Sequence, residues 1–347
     1  MPKSNREITI ALDCMGGDNA PSSVIAGASK ALEREGNLRF LLVGDEDKII
    51  KEVNKSPNLV NHYHIIHTTD IVSSNDTPAY AIRNGKRSSM YLAVQAVKNG
   101  EAHAVVSAGN TGALMAISKI VLRTLSGIDR PAICGIVPTL RGKAAMLDMG
   151  ANIECSATNL MQFAIMGSAF AKIIFQVERP KVGLLNVGSE DIKGSDTIKL
   201  ASQMIREFRD YINFYGYIEG DGIIDGFVDV IVTDGFSGNI ALKTAEGTAK
   251  LCREFMKEGF QNSIIAKIGY LLAKASLKKT FSRLDHRNYN GAMLLGLDGI
   301  VVKSHGSSDE LGNANAILVA KSLASEEINK SVANILEQSF SVEALIE

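Results

Sequence analysis

Six loops rich in glycine and small polar residues each follow a short apolar segment. They span residues 13–19, 108–112, 148–152, 186–194, 233–239 and 303–308. Glycine lets the main chain approach a ligand closely, and backbone N–H groups at the start of a helix favour anions. Because the loops carry few charged side chains, they predict a site that holds and aims an anion such as phosphate.

These loops supply the candidate substrate-binding residues. They are Asp13, Gly16, Gly17, Asn110, Thr111, Gly112, Asp148, Asn152, Asp234, Gly238, His305 and Ser307. A glycine that only makes a tight turn is the alternative for any one loop, but six loops of the same kind favour a binding site. Asp13 and Asp148 either orient donors or cap turns, and His305 either donates to a ligand or stabilises its turn.

Motifs of several other enzyme classes are missing. Neither G-x-x-x-x-G-K-[ST] nor H-E-x-x-H occurs, and the sequence 220–226 has one residue too many for a dinucleotide fingerprint. Cys14 could be a nucleophile, but no histidine is near in sequence, so a small packing residue is the favoured interpretation. The sequence therefore predicts no metal and no covalent catalysis.

Short apolar segments alternate with helical patterns. The predicted strands span residues 8–12, 40–43, 63–66, 104–107, 133–137, 144–147, 182–185, 228–232 and 300–302. The predicted helices span residues 21–35, 88–98, 113–125, 156–175, 196–208 and 239–256. This alternation is typical of an α/β fold with a mostly parallel, doubly wound sheet. Ligands bind outside the carboxyl ends of such strands, so we expect all six loops to line one edge.

The composition limits the possible classes of protein. The 347 residues include 37 basic and 38 acidic side chains, and 46% are hydrophobic. Such a chain can fold around a hydrophobic core, and its formal net charge of -1 gives the whole chain no electrostatic attraction to nucleic acid. Four dispersed cysteines disfavour a disulfide framework and predict a cytoplasmic protein.

The chain shows no linker or repeat, so we predict one large domain over residues 1–347. No secretory signal begins the sequence. The longest uncharged stretch, residues 155–171, contains five polar side chains, so we expect that it does not span a membrane.

A basic segment spans residues 256–287, with seven basic and two acidic side chains. On a helical projection its isoleucines and leucines form one stripe, flanked by Lys267, Lys274 and Lys278. Such a helix could meet a membrane surface or an acidic protein, or pack on the protein's own core or on a second subunit.

The loops as a set resemble the PlsX family of bacterial phosphate acyltransferases. The matching motifs occur in family order across residues 8–320, with Cys14 and Ser189 as small departures. The resemblance implies a Rossmann-like three-layer α/β/α fold, related to phosphate acetyltransferases and isopropylmalate dehydrogenases. It also implies a homodimer without a cofactor, which transfers a long acyl group from acyl carrier protein to inorganic phosphate. The acyl-phosphate product would serve phospholipid synthesis through a membrane glycerol-phosphate acyltransferase.

The same resemblance assigns catalysis to Lys193 and Asn239. Taken alone, Lys193 is typical of a solvated loop lysine and Asn239 of a helix cap. In the implied reaction a phosphate oxygen attacks the thioester directly, and the two side chains stabilise the charge that develops. Contact with carrier protein or with the inner face of the membrane would fall to Lys267, Leu271, Lys274 and Lys278.

Two other functions stay open at this point. A nicotinamide-dependent dehydrogenase of the related fold would need a dinucleotide site, which the missing fingerprint disfavours. A non-catalytic, membrane-associated scaffold would use the basic segment but would have no need of six glycine-rich loops.

Overall fold

A computed structural model describes residues 6–281 and 286–343, with one mixed sheet of 11 strands at its centre. The strands are β1 (Ile8–Asp13), β2 (Leu38–Gly44), β3 (Tyr63–His67), β4 (Ala104–Ser107), β5 (Ala132–Thr139), β6 (Gly142–Leu147), β7 (Lys181–Leu185), β8 (Asn213–Ile218), β9 (Val230–Val232), β10 (Ala292–Leu295) and β11 (Ile300–Lys303). Their order across the sheet is β3-β2-β1-β4-β11-β10-β5-β6-β9-β7-β8. All nine predicted strands are confirmed, whereas β8 and β10 were not predicted.

Helices cover both faces of the sheet, which confirms the predicted α/β class with its flanking helical layers. The helices are α1 (Ser22–Arg34), α2 (Glu46–Val53), α3 (Pro78–Asn84), α4 (Ser89–Lys98), α5 (Thr111–Val121), α6 (Ala157–Phe175), α7 (Asp196–Glu207), α8 (Gly235–Gln261), α9 (Ile264–Phe281), α10 (Glu310–Ser325) and α11 (Ile328–Glu343). One core, formed with α1, α6, α7 and α10, covers one face. Two smaller cores, formed with α4, α5 and the start of α8, cover the other face.

The sheet reverses direction in its middle. Strands β3, β2, β1, β4 and β11 run parallel, and so do β6, β9, β7 and β8. Between these groups the pairings β11–β10, β10–β5 and β5–β6 are antiparallel. The prediction that all six loops line one edge is therefore wrong, because β6, β7 and β9 run opposite to β1, β4 and β11.

Helices α5 and α8, which begin in the two groups of loops, nevertheless cover the same face of the sheet. Adjacent strands twist by about 20–25°, so the five steps from β4 to β9 rotate the strand direction by about 100–125°. This rotation offsets much of the reversal. Met149, in the loop after β6, packs against the core that contains α4 and α5 and also against the core that contains Ala241 of α8. Met149 thus links the core that contains α5 with the core at the start of α8.

Helix α6 is the longest apolar helix among the described residues. By length and composition it could cross a membrane, but 72% of the apolar window lies inside this fold. It packs against α7 and the strands of the second half of the sheet. We therefore assign α6 to the core, in agreement with the expectation that this stretch does not span a membrane.

The basic segment forms the end of α8 and the whole of α9, which pack against each other. Residues 243–255 of α8 are all exposed, and Ile265, Leu271 and Leu272 of α9 are exposed as well. One of the four predicted alternatives was that the apolar stripe of this segment packs on the chain's own core. That alternative is wrong, because Ile265, Leu271 and Leu272 of the stripe are exposed. The side chain of Lys278 lies outside the described residues.

Candidate functional site

The loops after β1, β4 and β11 form one group, the β1–β4–β11 loop cluster (residues 13–19, 107–112 and 303–308). Its centre is the carboxylate of Asp13, which is 1% exposed at the end of β1. One carboxylate oxygen accepts the Ser89 hydroxyl at 2.6 Å, and the other accepts the Ser107 hydroxyl at 2.7 Å. Burial raises the pKa of Asp13, and these hydroxyl groups oppose that shift. Asp13 therefore joins three elements of the fold and leaves little of its carboxylate open to a ligand.

The three loops of this cluster interlock through their backbones. The Asp18 N–H donates to the Gly306 carbonyl at 2.9 Å, and the Asn19 amide donates to the carbonyls of Ser307 and Ser308. Gly17 has a φ of +100°, and a Cβ there would lie 2.9 Å from the Ala108 side chain. Glycine at this position lets the first loop lie directly against the second.

The start of α5 faces solvent within this cluster. The Asn110 side-chain oxygen caps the helix by accepting the Ala113 N–H at 3.0 Å. The Asn110 amide group donates to three carbonyls of residues 73–76 and so fixes the neighbouring loop. Thr111 and Gly112, in the first turn, are exposed. Asn110 is thus a positioning residue, and the exposed turn after it offers N–H groups to an anion.

The loop after β11 is held in place by the half-buried side-chain amide of Asn290. Asn290 donates to the hydroxyls of Ser304 and Ser308, and its carbonyl oxygen accepts the His305 N–H at 2.9 Å. The exposed His305 ring lies 2.9 Å from the Ser307 hydroxyl through its Nδ1 atom. Sequence reasoning missed Asn290 because it lies outside every glycine-rich loop.

Lys303, at the end of β11, is a second residue that sequence reasoning missed. Its ammonium donates to the carbonyl oxygens of Ala108, at 3.2 Å, and Ser304. Burial lowers the pKa of Lys303 to about 8, against the opposing charges of Asp13 and Asp18. This lysine is therefore a partly buried cation between two of the loops.

The loops after β6, β7 and β9 form the second group, the β6–β7–β9 loop cluster (residues 148–153, 186–194 and 233–240). Asp148 is fully buried, and its carboxylate accepts the backbone N–H groups of Ile133, Gly150, Ala151 and Asn152. It also accepts the Asn152 amide at 2.9 Å. Because its two oxygens accept hydrogen bonds from five donors, the Asp148 carboxylate fixes the conformation of its loop and has little capacity left to bind a ligand.

The first turn of α8 lies directly on this loop. The Asp234 side chain caps α8 by accepting the Ser237 N–H at 2.8 Å. A Cβ at Gly238 would lie 1.9 Å from the Asp148 carbonyl oxygen, so only glycine allows this approach. The exposed Asn239 follows, and its side chain lies over Gly150. Asn239 does not cap the helix, because Asp234 has that position.

Lys193 is exposed in the loop after β7. The buried amide of Asn186 donates to the carbonyls of Gly188 and Lys193, at 3.0 and 3.2 Å, and closes the loop beneath the lysine. Strands β6 and β7 both pair with β9, and Leu147 and Leu184 share the partner Val232. The loops that carry Lys193 and Asn239 therefore leave the sheet from neighbouring strands.

The structure thus sorts the predicted residues into two groups. Asp13, Gly16, Gly17, Asn110, Thr111, Gly112, His305 and Ser307 belong to the β1–β4–β11 loop cluster, and Asp148, Asn152, Lys193, Asp234, Gly238 and Asn239 to the β6–β7–β9 loop cluster. Lys267, Leu271, Lys274 and Lys278 lie on α9, apart from both. Cys14 is fully buried and its pKa is raised by that burial, as the interpretation of a packing residue requires.

The arrangement is suited to holding reactants and stabilising charge. Its buried carboxylates are occupied by internal donors, while its exposed groups are amide, hydroxyl and ammonium donors. Cys155, beside the second cluster, has its pKa raised to about 11, chiefly by burial. A thiol in that state is a poor nucleophile, so the described residues favour electrostatic over covalent catalysis.

Replacing Gly238 with alanine is expected to destabilise the protein by about 1–3 kcal/mol, because the added methyl group overpacks the contact with Asp148. Gly247→Ala is the matched control, since a Cβ at Gly247 of the same helix meets open space. Chemical denaturation of both variants checks this. Equal unfolding free energies for the two variants would contradict the close contact.

The lowered pKa of Lys303 predicts a pH-dependent stability. Between about pH 8 and 10.5 the folded chain has lost a proton that the unfolded chain keeps, so stability rises with pH over this window. The wild type should therefore gain unfolding free energy relative to Lys303→Met across it. A difference that stays constant from pH 8 to 10 would show that burial does not perturb the lysine.

Comparison with known proteins places the chain among lipid-synthesis proteins. The family model described as fatty acid synthesis protein matches residues 8–331. A phosphate acyltransferase from Paramagnetospirillum magneticum is 52% identical over 325 residues, which cover 94% of this chain and 93% of the relative. A phosphate acyltransferase from Rhodospirillum centenum is 54% identical over 327 residues, covering 94% and 92%.

A solved structure has the same fold at low sequence identity. The phosphotransacetylase from Streptococcus pyogenes superposes with a TM-score of 0.63 and 18% identity. The match covers 92% of this chain and 94% of that protein. The likeness extends over most of both chains and supports the overall α/β fold.

Proposed function

The chain belongs to the fatty acid synthesis protein family, and we propose that it transfers a long-chain fatty acyl group from acyl carrier protein to inorganic phosphate. Acyl transfer to phosphate follows from the family and from the names of its relatives. The acyl-phosphate formed is an activated acyl donor for phospholipid synthesis. The observation that carries the proposal is the pair of glycine-rich loop clusters, one of which presents the exposed side chains of Lys193 and Asn239.

The reaction needs no covalent intermediate. A phosphate oxygen attacks the thioester carbonyl carbon, a C–O bond forms, and the carbonyl oxygen becomes an oxyanion. The oxyanion then collapses, the C–S bond breaks, and the carrier-protein thiolate leaves and takes a proton. Phosphate at neutral pH is already an anionic nucleophile, so the protein has to position it and reduce charge repulsion.

Lys193 and Asn239 act on the developing charge. Lys193 supplies a point charge, and the Asn239 amide donates a hydrogen bond to the same oxygen. Both side chains are exposed and both come from loops shaped by buried groups, Asn186 and Asp148. Their loops are therefore positioned before substrate arrives, as electrostatic catalysis requires.

Exposed apolar side chains near these two residues support an acyl substrate. Val187 and Ile192, both 79% exposed, lie in the same loop as Lys193. Phe236 and Ile240 are exposed on either side of Asn239. A monomeric protein rarely exposes so many large apolar side chains around polar groups without a ligand or partner to cover them.

The exposed hairpin of α8 and α9 is the proposed contact for partners. Lys267 and Lys274 border the exposed apolar stripe that contains Leu271. Acyl carrier proteins are acidic, so this cationic surface suits the acyl donor and also the inner face of an anionic membrane. We further propose that the protein is cytoplasmic and forms a homodimer that covers part of the hairpin. It would also make peripheral contact with the membrane enzyme that consumes the product.

Palmitoyl-acyl carrier protein incubated with radiolabelled phosphate tests the proposed function. We expect a labelled acyl-phosphate and an equal amount of free carrier protein, both absent without phosphate. A folded protein that forms no such product at several chain lengths would contradict the proposal.

Lys193→Ala should lower kcat by about 100-fold or more, in line with the loss of one electrostatic donor to an oxyanion. The fold should be unchanged, because the Lys193 side chain is exposed and the backbone contact with Asn186 is kept. Steady-state kinetics with circular dichroism checks this. Lys199→Ala, at a partly exposed position of α7, is the control. Near-normal turnover of Lys193→Ala would remove Lys193 from the mechanism.

Replacing Lys267, Lys274 and Lys278 together with glutamate should weaken binding to carrier protein or to anionic vesicles by about tenfold or more, because the surface changes sign. Turnover of a short-chain acyl thioester free of carrier protein should be unaffected. Binding is measured by surface plasmon resonance and by vesicle sedimentation. If neither partner binds more weakly, the hairpin serves only subunit contact.

A further inference from the structure

The ammonium of Lys303 is the one cation from Lys or Arg in the β1–β4–β11 loop cluster, since residues 13–19, 107–112 and 303–308 contain no other lysine and no arginine. It lies between two of the three loops, because it donates to the carbonyl of Ala108 and to that of Ser304. The proposed catalytic pair, Lys193 and Asn239, lies in the other cluster. Lys303 therefore has no role in the mechanism described so far.

Strand register places Lys303 on the face that carries the site. Lys303 pairs with Ser107, and Ser107 pairs with Asp13, so the three side chains form one row across β11, β4 and β1. The Asp13 side chain bonds to Ser89 of α4, which covers this face of the sheet. Val301, two residues before Lys303, belongs to the same core as α5. Side chains two residues apart share a face, so Lys303 projects towards the α5 side.

The charge of Lys303 is not neutralised by a direct partner. Among the described residues, no carboxylate forms an ion pair with its ammonium, and its two acceptors are neutral carbonyls. Asp13 is close enough to act on it electrostatically, but the oxygens of Asp13 already accept two hydroxyls and the Met15 N–H. An ammonium has three N–H donors, so one is left for a ligand.

The buried lysine Lys321 shows what a purely structural role looks like in this chain. Lys321 of α10 is 8% exposed and forms an ion pair with Glu35 at 2.8 Å. Burying a cation without such a partner costs free energy unless a ligand supplies the counter-charge. Lys303 has no ion-pair partner among the described residues, and it lies in the loops that meet the exposed first turn of α5.

From this placement we propose that Lys303 binds the phosphate acceptor, with the exposed first turn of α5 at Thr111 and Gly112 donating N–H groups to the same anion. This role rests on the proposed acyl transfer to phosphate. It places the binding site for inorganic phosphate in the β1–β4–β11 loop cluster. The other charged groups around Lys303 are Asp13 and Asp18, while Asp309 is engaged by Arg287 at 2.9 Å. With its pKa lowered to about 8, Lys303 is still mostly protonated at pH 7.

The test compares Lys303→Gln, Lys303→Arg and the control Lys321→Met. Glutamine can still donate to the two carbonyls but has no charge, so we expect the KM for phosphate to rise about tenfold or more, as for loss of one charge-assisted hydrogen bond. The KM for the acyl donor should change little. Arginine should restore part of the phosphate affinity, whereas Lys321→Met should lower only stability.

Thermal unfolding in increasing inorganic phosphate gives a second readout that needs no turnover. Phosphate should raise the Tm of the wild type and of Lys321→Met, and should raise that of Lys303→Gln much less. An unchanged KM and an unchanged phosphate-dependent Tm shift in folded Lys303→Gln would overturn the role of Lys303. If the wild type forms no acyl-phosphate but phosphate stabilises it through Lys303, the proposed function fails and the phosphate site stands.

Discussion

A buried carboxylate at the end of a strand organises each of the two loop clusters. Asp13 ends β1 and gathers hydroxyls from α4 and β4, and Asp148 follows β6 and gathers five N–H donors. A buried carboxylate must be satisfied by donors, so each one fixes the backbone that supplies them. Asn239, near the start of α8, lies over the loop that Asp148 shapes, whereas the loops of Lys193 and His305 are held by the side-chain amides of Asn186 and Asn290.

The direction of the strands decides how these clusters relate. Three antiparallel pairings around β10 and β5 reverse the second half of the sheet, and the accumulated twist turns its carboxyl ends back towards the first half. Small side chains at the centre of this face, Ala292 and Gly135, leave room for Met149 to connect the cores on either side. Met149 thus links the cores beside the two clusters, although their loops leave opposite ends of antiparallel strands.

The sequence was sufficient to predict the α/β class, nine strands and the loops that form the site, because short apolar segments followed by glycine are strong local signals. It could not predict the reversal, since β10 is four residues long and its pairing with β5 joins segments about 160 positions apart. Ser89 and Asn290 were missed because they lie outside the glycine-rich loops and their contacts are made by tertiary structure. Lys303 lies in the predicted loop 303–308, but only the tertiary structure shows its contact with Ala108.

The two loop clusters are proposed to hold the two reactants of one reaction. A crystal structure of Lys193→Ala with bound palmitoyl-phosphate tests this most directly. We expect the phosphoryl group to contact Lys303 and the first turn of α5, with the acyl carbonyl facing Asn239 and the alkyl chain on Val187, Ile192 or Phe236. A phosphoryl group bound away from the β1–β4–β11 loop cluster, with the acyl carbonyl away from Asn239, would contradict the account.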